Sequence, residues 1–236
     1  MSRIWLEACV TSVAAVRVAW EEGADRVELC RKLSVGGLTP DLEVVAEASQ
    51  VPIPVHVLIR CRAGDFHYAA SEIQEMGTQM NQSVQCGASG IVLGALTAGR
   101  TVDRAALRRW KEALEQTGLP FPAVTFHRAF DEVADPEEAL SVLEAEGWIS
   151  RVLTSGGAPT ALEGRAALGL WQSSTSLTVL AAGGVRPENV AELLGGSRFH
   201  GEDGVHEVHF NAMLDEEQAD RERLRELRRL VDQISG

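Results

Sequence analysis

Val124-Thr125-Phe126-His127-Arg128-Ala129-Phe130-Asp131 begins as a β-prone apolar run and stops in an imidazole, a guanidinium and a carboxylate. A helix opens soon after, at Asp135-Pro136-Glu137-Glu138. Asp135 is a good N-cap, Pro136 suits the first helical position, and Glu138 sits where a capping-box acid belongs. A strand feeding a capped helix through a short polar loop is half of a βαβ unit, and the rest of the chain repeats it.

Eight strand-like runs follow this pattern: Ile4–Cys9, Arg26–Cys30, Pro54–Arg60, Gly90–Gly94, Pro122–His127, Arg151–Ser155, Leu177–Gly183 and Glu207–Ala212. Helical patterns fill the gaps, over Ser12–Glu22, Pro40–Ser49, Ala69–Cys86, Arg104–Gln116, Pro136–Glu146, Thr160–Gln172 and Pro187–Leu194. Strand and helix in regular alternation imply parallel pairing, and several strands are apolar on both parities, as a sheet covered on both faces requires. Eight such units in 236 residues predict an α/β fold of the TIM (β/α)8 barrel type, since an open doubly wound sheet would leave two edges exposed. Asp215–Ser235, with leucines at near-helical spacing, predicts an additional C-terminal helix on the outside of the barrel. No linker or low-complexity tract interrupts the chain, so a single domain over residues 1–236 is expected.

The net charge of −12 argues against a nucleic-acid or anionic-membrane partner. No window approaches the roughly 18 apolar residues of a membrane span, and Glu7 comes too early for a signal peptide, so a cytoplasmic location is expected. The four cysteines form no CxxC pair and are expected as reduced thiols.

In a TIM barrel the chemistry sits at the carboxyl ends of the strands. Strand one ends in Glu7 and Cys9, strand two in Glu28 and Cys30, and a spacing of two turns each acid and its thiol to the same side. Thiols on neighbouring strands about 4.8 Å apart can share one soft metal ion, with Cu(I) satisfied by two thiolates. The alternative is that both are small buried hydrophobes. Strand three ends in Arg60 and Arg62; with Arg128, up to three guanidinium groups would ring the mouth, fitted either to an anionic small molecule or to internal ion pairs with Glu7, Glu28, Asp65 and Asp131. His127 is the leading general acid or base, with Arg128 and Asp131 placed to set its tautomer and His56 or His209 as partners. His67, His200 and His206 carry little signal. Glycine turns at Ser155-Gly156-Gly157 and Gly183-Gly184 follow strands six and seven, where barrels often rest a phosphate on backbone amides.

Taken together these residues resemble the CutC family. The likeness is carried by Leu6-Glu7-Ala8-Cys9, Gly23-Ala24-Asp25-Arg26-Val27-Glu28-Leu29-Cys30 and Gly36-Gly37-Leu38-Thr39-Pro40. It continues through Ile53–Arg60 with Arg62 and Gly64-Asp65-Phe66, Val124–Asp131, Arg151–Gly156, Ala182–Val185 and Glu207-Val208-His209. The resemblance implies a cytoplasmic TIM barrel, often a homo-oligomer (dimer or tetramer), connected with copper homeostasis and binding Cu(I) where Cys9 and Cys30 stand. Phe210-Asn211-Ala212 depart from the serines the family has after the strand-eight histidine. Two readings stand at this point. One is a Cu(I)-binding protein with Cys9 and Cys30 as ligands. The other is an enzyme on a small phosphorylated or carboxylated metabolite. Arg60, Arg62, Arg128, Ser155, Gly156, Gly183 and Gly184 would bind it, and His127, Glu7, Glu28 and Asp131 would act on it.

Overall fold

The computed structural model describes residues 3–195 and 204–235; His200 lies outside the described residues. Among them eight parallel strands close into a barrel in sequence order. They are β1 (Trp5–Val10), β2 (Arg26–Leu29), β3 (Val55–Leu58), β4 (Gly90–Leu93), β5 (Ala123–Phe126), β6 (Arg151–Thr154), β7 (Thr178–Ala181) and β8 (Glu207–Asn211). The seam pairs β1 with β8, setting Glu7 beside His209 and Cys9 beside Asn211. The chain thus forms the expected TIM barrel.

Helices α1 (Val13–Glu21), α2 (Leu42–Ala48), α3 (Ala70–Gln85), α4 (Arg104–Glu115), α5 (Pro136–Glu146), α6 (Arg165–Gln172), α7 (Pro187–Leu194) and α8 (Arg221–Ser235) fill the gaps and close the chain. The Asp135 carboxylate caps α5 by accepting from the Glu137 and Glu138 N–H groups, and Pro136 occupies the first turn. Two helices, α6 and α8, start more than a turn later than the sequence pattern suggests. The segment expected to begin α6 at Thr160 stays irregular because Gly164 packs directly on the Ser155 carbonyl, a contact that no Cβ would permit. Asp215 does not begin α8. Its carboxylate accepts from the Glu217 and Gln218 N–H groups, Leu214 N–H bonds the Gln218 carbonyl, and the chain turns back before Asp220 takes up the cap. α8 then buries Leu224, Leu227 and Val231, and its Arg221 and Arg225 reach Glu22 at the end of α1.

The two parities of the strands meet different surroundings. Leu6, Ala8, Val27 and Leu29 join the large core formed with the helices. The opposite parity fills the axis with two small apolar clusters, Cys9–Cys30–Leu58–Val92 and Leu153–Leu180–Ala182. An ionic network lies in the same interior: buried Arg26 donates to Glu7 and to Glu207, and Arg151 donates to Glu207 at 3.0 Å. Glu7, Cys9, Glu28 and Cys30 therefore face the interior.

Strand four makes room for two imidazoles. A Cβ on Gly90 would overlap the His56 ring, and one on Gly94 would lie 2.6 Å from His127 Nδ1. Neither glycine has a positive φ, so it is space and not backbone conformation that requires them. Gly90→Ala is expected to cost about 1–3 kcal/mol by overpacking. In urea denaturation the Gly90→Ala/His56→Ala pair should cost at least roughly 0.5 kcal/mol less than the sum of its singles. Strict additivity would mean that the ring does not occupy this space.

Candidate functional site at the barrel mouth

Strands β1 and β2 bring the acids and thiols together, with Cys9 opposite Glu28 in the ladder. The Cys9 and Cys30 Sγ atoms are 3.8 Å apart, and the Cys9 thiol lies 3.9 Å from Glu28 Oε1. All three residues are buried. The hydrogen bond to Cys30, burial and the neighbouring carboxylates push the Cys9 thiol well above the ordinary thiol range, so it is protonated at neutral pH.

The two acids, alike in sequence, differ in state. Burial pushes Glu28 up to about 7, helped by the charge of Glu7 and opposed by His209 and Arg26. Its Oε2 is buried without a partner among the described residues. Burial would also raise Glu7, but Arg26, a hydrogen bond from His209 Nδ1 at 2.7 Å and the His56 ring outweigh it and hold the carboxyl well below the usual range. His209 is raised in return, since the Glu28 and Glu7 charges overcome the effect of its burial. His56 goes the other way, to about 4, chiefly through burial. Glu7 is thus a fixed anion inside a network, and Glu28 is the carboxyl that can change charge at neutral pH.

The opposite wall is cationic. Arg60, 6% exposed, donates Nη1 to the carbonyls of Val35 (3.0 Å) and Gly37 (3.2 Å) and Nη2 to that of Gly64 (2.7 Å), tying the loops after β2 and β3 together. Its guanidinium stacks over Phe66, 5.0 Å from the ring centre. Among the described residues no carboxylate pairs with it, and its buried Nε has no partner.

His127 is held by its own backbone turn: Nδ1 accepts from the Ala129 N–H at 3.1 Å, so the proton resides on Nε2. Burial, reinforced by the Arg60 charge, depresses this imidazole to about 3 and keeps it neutral. Nε2 is buried without an acceptor among the described residues. The tautomer is therefore set by Ala129, not by Arg128 or Asp131 as the sequence suggested.

Asp131 turns away to β6. Its carboxylate accepts from the Thr154 hydroxyl, from the Ser155 N–H at 3.0 Å and from the Gly157 N–H at 3.3 Å. It also takes Arg128 Nε at 2.7 Å, while Arg128 Nη2 reaches Ser155 Oγ at 3.1 Å. Asp131 and Ser155 thus position Arg128.

A cavity of about 210 Å³ joins the two walls. Cys9, Glu28, Arg60, His127, Arg128, Gly183, Gly184 and His209 all line it. Arg62 does not join them. Glu72, at the start of α3, takes its Nε at 2.6 Å, Asp65 takes Nη2 at 3.0 Å, and the guanidinium lies over Tyr68, so the expected trio of mouth arginines is a pair. Gly156 is used for the close approach to Gly164 and does not line the cavity. Glu7 and Cys30 stand behind the lining. Phe66, named from the sequence only within a family-like stretch and given no role there, places its ring 4.9 Å from that of His127 and under Arg60. Its position two residues after Gly64, in a loop already marked by arginines, was the available signal.

The CutC family model matches residues 4–213, which take in every strand. This chain belongs to the CutC family. CutC family proteins from Caulobacter vibrioides and Chromobacterium violaceum are 41% and 44% identical to it, each over 81% of this chain and 77% and 76% of theirs. A CutC structure from Streptococcus agalactiae, named for copper homeostasis, superposes with a TM-score of 0.77 at 27% identity, covering 87% of this chain and 97% of that one. Pyrococcus furiosus thiamine phosphate pyrophosphorylase, at 18% identity and a TM-score of 0.61, shares the fold alone. Within this CutC chain, α8 lies beyond the matched span, whereas both thiols, both mouth arginines and His127 lie inside it.

Proposed function

We propose that this CutC family protein binds Cu(I) in the barrel through Cys9 and Cys30, with the Glu28 carboxylate as a third donor. The observation that carries the reading is that one ligand atom from each of Cys9, Glu28 and Cys30 lies within 4.8 Å of the others. Sulfur ligands select Cu(I) over hard cations, and the copper-homeostasis name of the Streptococcus agalactiae relative supports the same ion. The reading belongs with a cytoplasmic, homo-oligomeric protein whose thiols stay reduced.

A thiol held protonated has to lose its proton to become a ligand, so binding releases protons and Cu(I) affinity should rise with pH. The test is an anaerobic competition titration with a Cu(I) chelator. Cys9→Ala/Cys30→Ala should weaken binding by at least about tenfold. If the double variant binds as tightly as the parent, or affinity is flat between about pH 6 and pH 8, the thiols are not the site.

A further inference from the structure

The cavity carries more positive charge than a thiol site can use. Arg60 is a buried cation facing three carbonyl oxygens and, among the described residues, no carboxylate. Carbonyl dipoles offset only part of a buried charge. His127 adds an N–H with no acceptor, on a ring that lines the same cavity. The Arg128 guanidinium is fixed over Gly183, its Cζ only 3.7 Å from where a Cβ would stand, with Nε and Nη2 engaged and Nη1 unengaged among the described residues. The turn beneath it, Gly183 (φ +98°) and Gly184 (φ +70°), presents two successive backbone N–H groups that make no backbone hydrogen bond among the described residues. Every one of these groups is a donor or a cation, and together they repel a metal ion and attract an anion.

We infer that this wall of the cavity is a binding site for the phosphate group of a small phosphorylated molecule. Arg128 and the Gly183–Gly184 amides would cradle the oxygens, the His127 Nε2–H would donate to one of them, and Arg60 would neutralise the charge from behind. Phosphate fits better than carboxylate because the donors come from the ends of two strands and from a turn, a concave arrangement, and not from one planar fork. Depressed as it is, His127 is a neutral donor throughout the physiological range and does not depend on pH to serve this role. The inference does not rest on Cu(I) binding, since neither thiol takes part.

The test uses the full-length, reduced, metal-free protein, with inorganic phosphate and acetate as probes in calorimetric titration and thermal unfolding. Phosphate should bind saturably and raise the melting temperature, with acetate at least about tenfold weaker. Arg128→Ala, a change at a half-exposed side chain, should weaken phosphate by at least about tenfold while leaving the unliganded melting temperature as in the parent. His127→Asn keeps an acceptor for the Ala129 N–H and removes the Nε2–H; it should weaken phosphate as well. The site is overturned by the absence of saturable phosphate binding up to about 10 mM. Equal binding of acetate overturns it too, as does an Arg128→Ala protein that binds phosphate like the parent. Loss of Cu(I) binding in the cysteine variant with phosphate binding intact would separate the two sites.

Discussion

Acidification from about pH 7.5 to about pH 5 is expected to remove about 2 kcal/mol of folding free energy through His127 alone. The unfolded histidine takes its proton near 6.5, whereas the folded one, buried and facing the Arg60 charge, does so only near 3. Between those values the unfolded chain binds a proton that the native one refuses, so stability falls as pH falls. His56, held to about 4, adds a loss of similar size over the same range. Two groups act in the opposite sense. His209 is raised, so its contribution is full below its unfolded value and is lost as pH rises through its folded one. Glu28, raised to about 7, likewise favours the folded state at the acid end of the window. The parent's net loss is therefore smaller than the two histidines alone would give, and the comparison with a variant isolates the term. Urea unfolding of the parent and His127→Asn at both pH values should show a drop about 2 kcal/mol smaller in the variant. Parallel pH profiles would mean that His127 is hydrated or charged in the native state.

Arg26→Met is expected to destabilise the protein by about 3–5 kcal/mol, the cost of leaving buried carboxylates without their cation. Arg26 is 2% exposed and bonds Glu7 from one strand and Glu207 from another. Methionine matches its stem but supplies no charge. Glu7 would keep His209 and Glu207 would keep Arg151, but each would lose its innermost partner. The deficit should be read from urea or guanidinium unfolding at neutral pH. A cost below about 1 kcal/mol would place this pair among water-screened ion pairs, and the interior would have to be wet.

Much of this architecture was legible in the sequence because the barrel's rule is periodic. Strands such as β5 run into polar residues and helices such as α5 open on a cap, as Asp135 provides, so existence and order of the elements follow largely from local chemistry. The spacing of two between Glu7 and Cys9, and between Glu28 and Cys30, put each acid and thiol on one face, and the structure keeps them there. What the chain did not reveal was the state of those groups. Glu7 and Glu28 each precede a cysteine by two, yet one is a locked anion and the other titrates near neutrality, because Arg26 and His209 hydrogen-bond Glu7 directly and Glu28 has only the Cys9 thiol. Arg60 and Arg62 share a loop and a parity. Only the arrival of Glu72 at the head of α3 draws Arg62 out of the mouth and leaves Arg60 behind. The irregular loops before α6 and α8 escaped for a related reason. The close contact of Gly164 with Ser155 and the turn organised by Asp215 replace helical bonds with tertiary ones that no periodicity encodes.

The interior ion network also bears on how the chain assembles. Glu7 and Arg26 are synthesised together and can meet early, but Glu207 and His209 arrive some 180 to 200 residues later. Without β8 beside β1, Arg26 would lack Glu207 and Glu7 would lack His209. The β1–β8 pairing is what brings His209 to Glu7 and so helps to fix its charge. Contacts of such separation are slow to form, so the electrostatic character of the mouth is a property of the finished ring and of no fragment of it.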